Sequence, residues 1–411
     1  MEGLSLSSQD SILLDLPPCC VEFCPEAPSY FIVGTYNLVK DESTTDDNVP
    51  SSSGESAEPR STQSRHGTLI VFEVTDGHLE QRQVAAQPSA ILDIHFCPVP
   101  GLRNVLAVAS STGTVSFFRF GDDGNQARTL QHLNTSSVPG IESSLLFTSI
   151  AWHPDDAKVL SVTVSSGEVL VLRLDEQWNI LSSQVAITHT LEAWTVVFSP
   201  TLLSDDSSSG GRGDGSRVEL YSGGDDSTLR YTSMESTEDD MRPMYPAVQV
   251  SGHTAGVTAV IPTTFVLDDG YDVVITGSYD DHIRIFAIQK LSMSFGARKA
   301  RLLAEKNLGG GVWRLKLITV ESNAPDHWSA LVLVCCMHAG SRIARISGQQ
   351  QTSLDWDWDI QVLGRFEEHQ SMNYGSDFMP STAPNPRGLV CVSTSFYDKA
   401  LCLWTIDLES K

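Results

Sequence analysis

The chain lacks the sequence features that place a protein in or across a membrane. Hydrophobic residues make up 41% of its 411 positions, yet no uninterrupted apolar run reaches the roughly 20 residues that a transmembrane helix needs. The N-terminal stretch MEGLSLSSQDSILLDLPP has no basic residue before its apolar part and carries acids inside it, which is not the pattern of a secretory signal. We therefore expect a cytoplasmic protein without a membrane span.

Positive charge is scarce. The chain has 27 Lys and Arg residues against 51 Asp and Glu residues, a formal net charge of −24. Such a surface repels phosphate backbones, so nucleic acid is not an expected partner, whereas a cationic partner is accommodated.

Metal-binding and nucleotide-binding patterns are absent as well. The eight cysteines include two adjacent pairs, Cys19–Cys20 and Cys335–Cys336, but no CxxC spacing. Zinc sites need such spacings, so the cysteines indicate reduced thiols, and no metal or other cofactor is expected. No Walker pattern follows the glycine run Gly309–Gly311, which we interpret as a tight turn in which the backbone can approach a neighbour closely.

Helical periodicity is almost absent, and one β-rich unit repeats instead. Each copy begins with a short strand, often ending in an aromatic residue before Pro, and continues into a hairpin with a turn of small residues. The first strands read CCVEFCP (19–25), AILDIHFCP (90–98), FTSIAWHP (147–154), AWTVVFSP (193–200), GVTAVIP (256–262), GVWRLKL (311–317) and NYGSDFMP (373–380). Seven copies predict an all-β fold, a seven-bladed WD40-type β-propeller that forms a single domain over residues 1–411.

The last copy ends after its third strand. SILLDL (11–16) is therefore predicted to supply the fourth strand by pairing with residues 399–406, which closes the ring. Two polar stretches rich in Ser, Gly and Asp are predicted to be disordered loop insertions, residues 40–66 in blade 1 and residues 204–217 in blade 4.

Several His and Asp residues fall at positions that the repeat itself explains. In WD-repeat blades a His before the first strand is held by an Asp at the turn between the second and third strands. Counting along blades 4, 5 and 7 gives three such pairs. They are His189–Asp226, His253–Asp280 and His369–Asp398. We predict that these residues are structural rather than catalytic.

Other residues are not explained by the repeat. Trp194, Trp313 and Tyr374 occupy one register at the start of three innermost strands, where they either pack in the core or line an aromatic pocket. His338 lies in the hairpin of blade 6, which has no His–Asp pair. Ser371 precedes blade 7 but is not in a GxSxG motif, and a propeller offers no strand-to-helix turn to build one.

Four segments of the last two blades resemble a known family. GGGVWRLK, LVCCMHAG, EHQSMNYGSDF and STSFYDKALCLW, in that order, are similar to the WD-repeat diphthine methylesterases of diphthamide biosynthesis. The resemblance implies hydrolysis of the methyl ester of methylated diphthine on translation elongation factor 2, giving diphthine and methanol before amidation. It also implies elongation factor 2, and then the diphthine amidation enzyme, as partners.

The implied substrate carries a trimethylammonium group and a methyl ester. Aromatic faces and nearby acids hold quaternary ammonium groups, for which Trp194, Trp313, Tyr374 and Asp377 are the candidates. Ester hydrolysis needs a base or nucleophile and oxyanion donors, for which His338, Ser371, Arg314 and the backbone near Gly309–Gly311 are the candidates. The alternative is a non-catalytic WD-repeat adaptor or scaffold in a trafficking or ubiquitin-ligase complex, because fold alone does not give function.

Overall fold

Strands account for nearly all the regular structure in the described part of the chain. The computed structural model describes residues 2–39, 64–122, 128–200, 217–237, 240–289, 300–352, 355–381 and 388–408. Within these ranges the strands form seven mainly antiparallel sheets, which follow one another in chain order. No helix in the described part of the chain is long and apolar enough to span a membrane.

The first four sheets are blades 1 to 4, and each is given from its innermost strand outward along the chain. Blade 1 contains β3 (Pro18–Phe23), β4 (Tyr30–Thr35), β5 (Asn37–Val39), β6 (Ser64–Thr75) and β7 (His78–Gln87). Blade 2 contains β8 (Ile91–Phe96), β9 (Val105–Ser110), β10 (Thr114–Asp122) and β11 (Arg128–Ser137). Blade 3 contains β12 (Phe147–Trp152), β13 (Val159–Val164), β14 (Glu168–Leu174) and β15 (Ile180–Thr188). Blade 4 contains β16 (Ala193–Phe198), β17 (Arg217–Gly224), β18 (Leu229–Ser236), β19 (Met241–Pro243) and β20 (Val248–Val250).

Blades 5 to 7 complete the ring, and the last two each take a strand from the N-terminus. Blade 5 contains β21 (Val257–Val266), β22 (Tyr271–Ser278), β23 (His282–Gln289) and β24 (Ala300–Asn307). Blade 6 contains β25 (Arg314–Ala324), β26 (His327–Cys335), β27 (Ser341–Thr352), β28 (Asp355–Phe366) and β1 (Leu4–Leu6). Blade 7 contains β29 (Ser376–Phe378), β30 (Gly388–Ser395), β31 (Ala400–Asp407) and β2 (Ser8–Leu13).

The innermost strands contact one another around the ring, and β29 of blade 7 contacts β3 of blade 1, so the ring is closed. The seven-bladed fold predicted from the repeats is confirmed. Because the strands of a blade run antiparallel, each innermost strand begins on the same face of the propeller as the turn between the second and third strands. We call this face the turn face.

Closure by an N-terminal strand is also confirmed, with shifted bounds. β2 covers residues 8–13 rather than 11–16, and it pairs antiparallel with β31, Ile12 opposite Leu401. β1 was not predicted; it adds parallel to β28 of blade 6. Its three residues are too short a stretch to show strand alternation in the sequence.

The two predicted loop insertions lie mostly outside the described residues. Their ends are corrected by the structure. Residues 64–66 belong to β6, where they pair with β5, and Arg217 begins β17, opposite Glu235.

We predict that closure stabilises the whole ring, which two neighbouring leucines can test. Leu14, immediately after β2, is 7% exposed and packs with Phe23 and Leu401, whereas Leu13 is 79% exposed. Leu14→Ala should lower the free energy of unfolding by about 2–5 kcal/mol because it leaves a cavity. Leu13→Ala should change it by less than about 0.5 kcal/mol. Chemical denaturation of both variants measures the difference, and equal losses would contradict a closing contact made through Leu14.

Candidate functional site

The segment NYGSDF (373–378) is fixed in place by one buried amide. Asn373 is fully buried, and its Nδ2 donates to the carbonyl oxygens of Gly375 at 3.0 Å and Thr394 at 2.9 Å. Its Oδ1 accepts the hydroxyl proton of Ser341 at 3.0 Å. These bonds hold the backbone before β29, so Tyr374 is presented at the turn face.

The turn between β26 and β27 is attached to this segment. The backbone N–H of Asn373 donates to the carbonyl oxygen of Met337 at 3.0 Å, next to His338. On the other side, Gly310 and Gly311 approach so closely that a Cβ at either position would overlap the turn. The glycine run therefore brings Trp313 and the turn of His338 together.

Five aromatic side chains lie in contact on the turn face, and we call them the aromatic cluster. Its members are Trp194, Tyr279, Trp313, Tyr374 and Phe396. Trp313 is at the centre, with ring centroids 5.5 Å from Trp194, 5.7 Å from Tyr279 and 5.0 Å from Tyr374. All five are only partly buried, so they do not form a closed core. Core packing alone therefore does not account for these five side chains, and an aromatic pocket stays a prediction.

A carboxylate lies at one end of the aromatic cluster. The indole Nε1 of Trp194 donates to Oδ1 of Asp225 at 2.6 Å, and Asp225 lies beside the ring of Tyr279. Burial raises the pKa of this carboxyl group, although the Trp194 hydrogen bond opposes the rise. A carboxylate beside several aromatic faces is an arrangement that attracts a cation.

Below the aromatic cluster, six charged side chains alternate in sign across the central channel, and we call them the ion-pair chain. In order they are Arg314, Asp93, His95, Glu22, Lys316 and Asp377. They come from the innermost strands of blades 6, 2, 1 and 7. Lys316 Nζ is 2.8 Å from Asp377 Oδ2, and Arg314 Nη2 is 3.2 Å from Asp93 Oδ1.

Within the ion-pair chain, neighbouring charges shift the pKa values of Glu22, Asp93 and His95 toward the charged forms, whereas burial raises the pKa of Asp377. Burial alone would raise the pKa of Glu22 and of Asp93, but the neighbouring cations, Lys316 and Arg314 respectively, lower both pKa values. Burial alone would lower the pKa of His95, but Glu22 and Asp93 raise it to about 10. His95 therefore carries a proton at neutral pH and cannot act there as a general base.

A cavity of about 90 Å³ connects the two groups of residues. It is lined by Tyr374 of the aromatic cluster, by Arg314, Lys316, Asp93 and His95 of the ion-pair chain, and by apolar side chains of β3 and β26. Within the described residues, no group of three or more His, Cys, Asp or Glu side chains is arranged to hold a metal ion.

Ser371 was predicted as a candidate nucleophile, and the structure assigns its hydroxyl to a turn instead. Its Oγ donates to Oδ1 of Asp398 at 2.7 Å and accepts the backbone N–H of Tyr397 at 2.9 Å. The pKa of Asp398 is lowered, because its hydrogen bonds outweigh the raising effect of burial. Asp398 is therefore a poor base toward Ser371, and no imidazole in the described chain is bonded to this hydroxyl.

His338 is exposed at the tip of its turn, and no hydrogen bond or ion pair in the described structure engages it. The turn that carries it lies between the segments of Trp313 and Tyr374. The imidazole of His338 is therefore not engaged by the described part of the protein.

Asp377 occupies a different environment from the one predicted, whereas Arg314 lies beside the cavity. Asp377 was expected to bind substrate, but it is buried, bonded to Lys316 and to the backbone N–H of Phe23 at 2.7 Å. Its carboxylate is thus occupied by the protein. Arg314 is paired with Asp93 and lines the cavity, and its side chain is 21% exposed.

The three aromatic residues lie at the starts of their innermost strands. Trp194 is the second residue of β16, and Trp313 and Tyr374 lie just before β25 and β29. Trp194 and Tyr374 both contact Trp313 at the turn face.

Of the three His–Asp pairs, one forms directly. His189 Nδ1 is 2.9 Å from Asp226 Oδ1. In the other two blades the Asp accepts from the backbone N–H of the residue after the His, Asp280 from Thr254 at 2.8 Å and Asp398 from Gln370 at 3.2 Å. In these two blades the His Nδ1 is buried, and no hydrogen-bond partner for it is described.

All three histidines form a hydrogen bond through Nε2. The partners are hydroxyl groups of the second strands, Ser222, Thr276 and Ser393, at 3.0, 2.9 and 2.8 Å. Each His therefore links the start of a blade to its second strand, whether or not it touches the Asp.

Several residues of the site were not found from the sequence. Two signals could have identified them. The ion-pair chain comes from charged residues at alternate positions of otherwise apolar inner strands, as in VEF, DIH, RLK and SDF. Asp225 and Tyr279 each immediately precede the turn Asp of their blade, a position that lies on the turn face.

The arrangement of seven sheets in a closed ring defines a WD-repeat-type β-propeller. Solved structures with this fold include a chain of the mitotic checkpoint complex, with a TM-score of 0.55 and 13% identity, covering 98% of this chain and 92% of that one. Sqt1 from Chaetomium thermophilum, solved bound to the N-terminus of ribosomal protein L10, gives a TM-score of 0.53 and 14% identity, covering 96% and 85%. At these identities the likeness concerns the fold alone. A comparison with protein-family models gives no match.

Similarity in amino-acid sequence identifies relatives more specifically than similarity in fold does. A diphthine methyltransferase of Schizosaccharomyces pombe is 30% identical over 344 residues, which cover 84% of this chain and 87% of that protein. A diphthine methyltransferase of Saccharomyces cerevisiae is 24% identical and covers 97% of both chains. A diphthine methyltransferase homolog of Dictyostelium discoideum is 21% identical over 95% of this chain and 97% of that one. The chain belongs to the diphthine methyltransferase family.

We predict that His253 makes stability depend on pH. Burial lowers its pKa from 6.5 to about 4. The unfolded chain therefore binds the proton more readily, so the stabilising effect is complete above about pH 6.5 and is lost as the pH falls toward 4. Between pH 7.5 and 5 this loss is about 2 kcal/mol.

The test is a comparison of unfolding free energies at pH 7.5 and pH 5. In His253→Gln the difference between the two pH values should be smaller than in the parent by about 2 kcal/mol. The exposed His338→Gln variant is the control and should unfold like the parent at pH 7.5. An unchanged pH dependence in His253→Gln would show that this histidine is not held neutral in the fold.

Proposed function

We propose that this protein hydrolyses the methyl ester of methylated diphthine on translation elongation factor 2, releasing diphthine and methanol as a step of diphthamide biosynthesis. One observation carries the proposal. In a chain of this family, a partly open aromatic cluster with a carboxylate at one end adjoins the guanidinium of Arg314 across a cavity. These groups match a trimethylammonium group and an ester, the two groups of the proposed substrate.

The aromatic cluster receives the cation. The faces of Trp313, Trp194 and Tyr374 attract a quaternary ammonium group through their π electrons, and Asp225 adds a negative charge. Neither interaction requires a hydrogen-bond donor, which a trimethylammonium group lacks. The strongly acidic balance of the chain also favours approach of a cationic segment.

The ester is cleaved by water in this scheme. His338 accepts a proton from a water molecule, whose oxygen attacks the ester carbonyl carbon. Arg314 donates to the carbonyl oxygen as negative charge develops there. The C–O bond to the methoxy group breaks, and His338 returns the proton to methoxide, so methanol leaves. The carboxylic acid that remains keeps the second proton of the water molecule and loses it to solvent, which gives the carboxylate. Ser371 has no part in this route because its hydroxyl is bonded within the turn.

The curated relatives are named methyltransferases, so the direction of methyl movement is the central question. Purified protein should release methanol from methyl-esterified elongation factor 2, which is measured together with the change in mass of the modified peptide. Incorporation of a labelled methyl group into diphthine, with no methanol formed, would contradict the proposal. Absence of both reactions would favour an adaptor.

His338→Ala should lower turnover by about 10²-fold or more while the melting temperature stays at the parent value. The reason is that the side chain is exposed and makes no bond that folding requires. The matched control is His78→Ala, because His78 is an exposed histidine of the outer strand β7. This variant should retain parent turnover. Parent-like turnover of His338→Ala would remove the general base from the scheme.

Trp313→Ala should raise KM by about 10- to 30-fold, because a desolvated cation–π contact is worth up to about 2 kcal/mol. Trp313→Phe keeps an aromatic face and should recover part of this loss. Steady-state kinetics with methyl-esterified elongation factor 2 separates KM from kcat. An equal KM in all three proteins would show that the aromatic cluster does not bind the substrate.

A further inference from the structure

The ion-pair chain ends in a cation at the aromatic cluster. Lys316 and His95 each contact two carboxylates, whereas Arg314 contacts one, Asp93, which it shares with His95. Arg314 is therefore the least compensated of the three cations in the chain. At the opposite end, Asp377 is satisfied by Lys316 and by backbone N–H groups.

The guanidinium of Arg314 has donors to spare. It carries five N–H bonds, and the described ion pair with Asp93 uses Nη2 at 3.2 Å. Its Cζ lies 5.7 Å from the centroid of the Trp313 ring, so the cationic end of the chain adjoins the centre of the aromatic cluster.

The space beside Arg314 is large enough for a small anionic group. The cavity of about 90 Å³ is lined by both Arg314 and Tyr374. A water molecule occupies about 30 Å³ in the liquid, so the cavity has room for a carboxylate with a water molecule.

We propose that Arg314 and the aromatic cluster form one site for betaines, groups that carry both a quaternary ammonium and a carboxylate. The proposal rests on the function proposed above, and it identifies the hydrolysed product as the form that this site binds most tightly. An ester offers only neutral oxygen atoms to Arg314. The carboxylate formed by hydrolysis offers a charge-assisted, bidentate hydrogen bond.

Two commercially available probes separate the two halves of the site. Glycine betaine and choline both carry a trimethylammonium group, but only glycine betaine has a carboxylate. Calorimetric titration of the parent protein should show that glycine betaine binds about tenfold or more tightly than choline, because a hydrogen bond to a charged group is stronger than one to a neutral group. Equal affinities, or no binding of glycine betaine, would overturn the proposal.

Arg314→Gln should remove the preference for glycine betaine while choline still binds, and retained choline binding shows that the variant is folded. Asp93→Asn should act in the opposite direction and strengthen glycine betaine binding, because it removes the competing carboxylate. Arg345→Gln is the control, since Arg345 pairs with Glu321 through a separate ion pair within blade 6 and its loss should leave the preference unchanged. A preference that survives in Arg314→Gln would assign the carboxylate to another group.

The outcomes for the site and for the reaction are separable. A glycine betaine preference that depends on Arg314, without methanol release from the esterified factor, would keep the betaine site and reject the hydrolysis. Methanol release with equal affinities for glycine betaine and choline would keep the hydrolysis and reject the betaine site.

Discussion

Desolvation of charge on the channel wall is the constraint on which the site depends. Six ionic groups from blades 6, 2, 1 and 7 face one another there, with the three carboxylates largely buried and the three cations partly exposed, and a buried charge left without its partner would cost several kcal/mol. Each ion is therefore satisfied only when four innermost strands, distant in sequence, are correctly aligned. The same alignment places Arg314 beside Trp313 and Tyr374. The geometry of the site therefore depends on the same strand alignment as the closure of the ring.

The overall architecture could be predicted from the sequence because the repeat is local. Each blade has its own alternation of apolar residues and its own turn, so seven copies indicate seven sheets without any knowledge of long-range contacts. Closure could be inferred because the last copy lacks a strand. β1 could not, since a three-residue strand has no periodicity and its partner is a different blade.

The location of a site residue was predictable from the sequence where its position within the repeat decides where its side chain lies. Trp194, Trp313 and Tyr374 meet because all three stand where an innermost strand begins. The roles of Ser371 and Asp377 were not predictable, because each depends on a partner elsewhere in the fold, Asp398 at a turn and Lys316 on another blade. The same reason explains why the ion-pair chain was missed, although its alternation is visible in the sequence.

Pairing of β2 with β31 has a consequence for how the protein is made. Gln9 is bonded to Thr405, 396 positions further along the chain. At a synthesis rate of about 5–20 residues per second, the N-terminal strand leaves the ribosome roughly 20–80 s before its partner exists. Closing so long a loop adds only a logarithmic entropic cost, so the final fold tolerates it. During that interval, however, Leu14 can pack only against residues of blade 1 such as Phe23, and its contact with Leu401 has to wait until the end of synthesis.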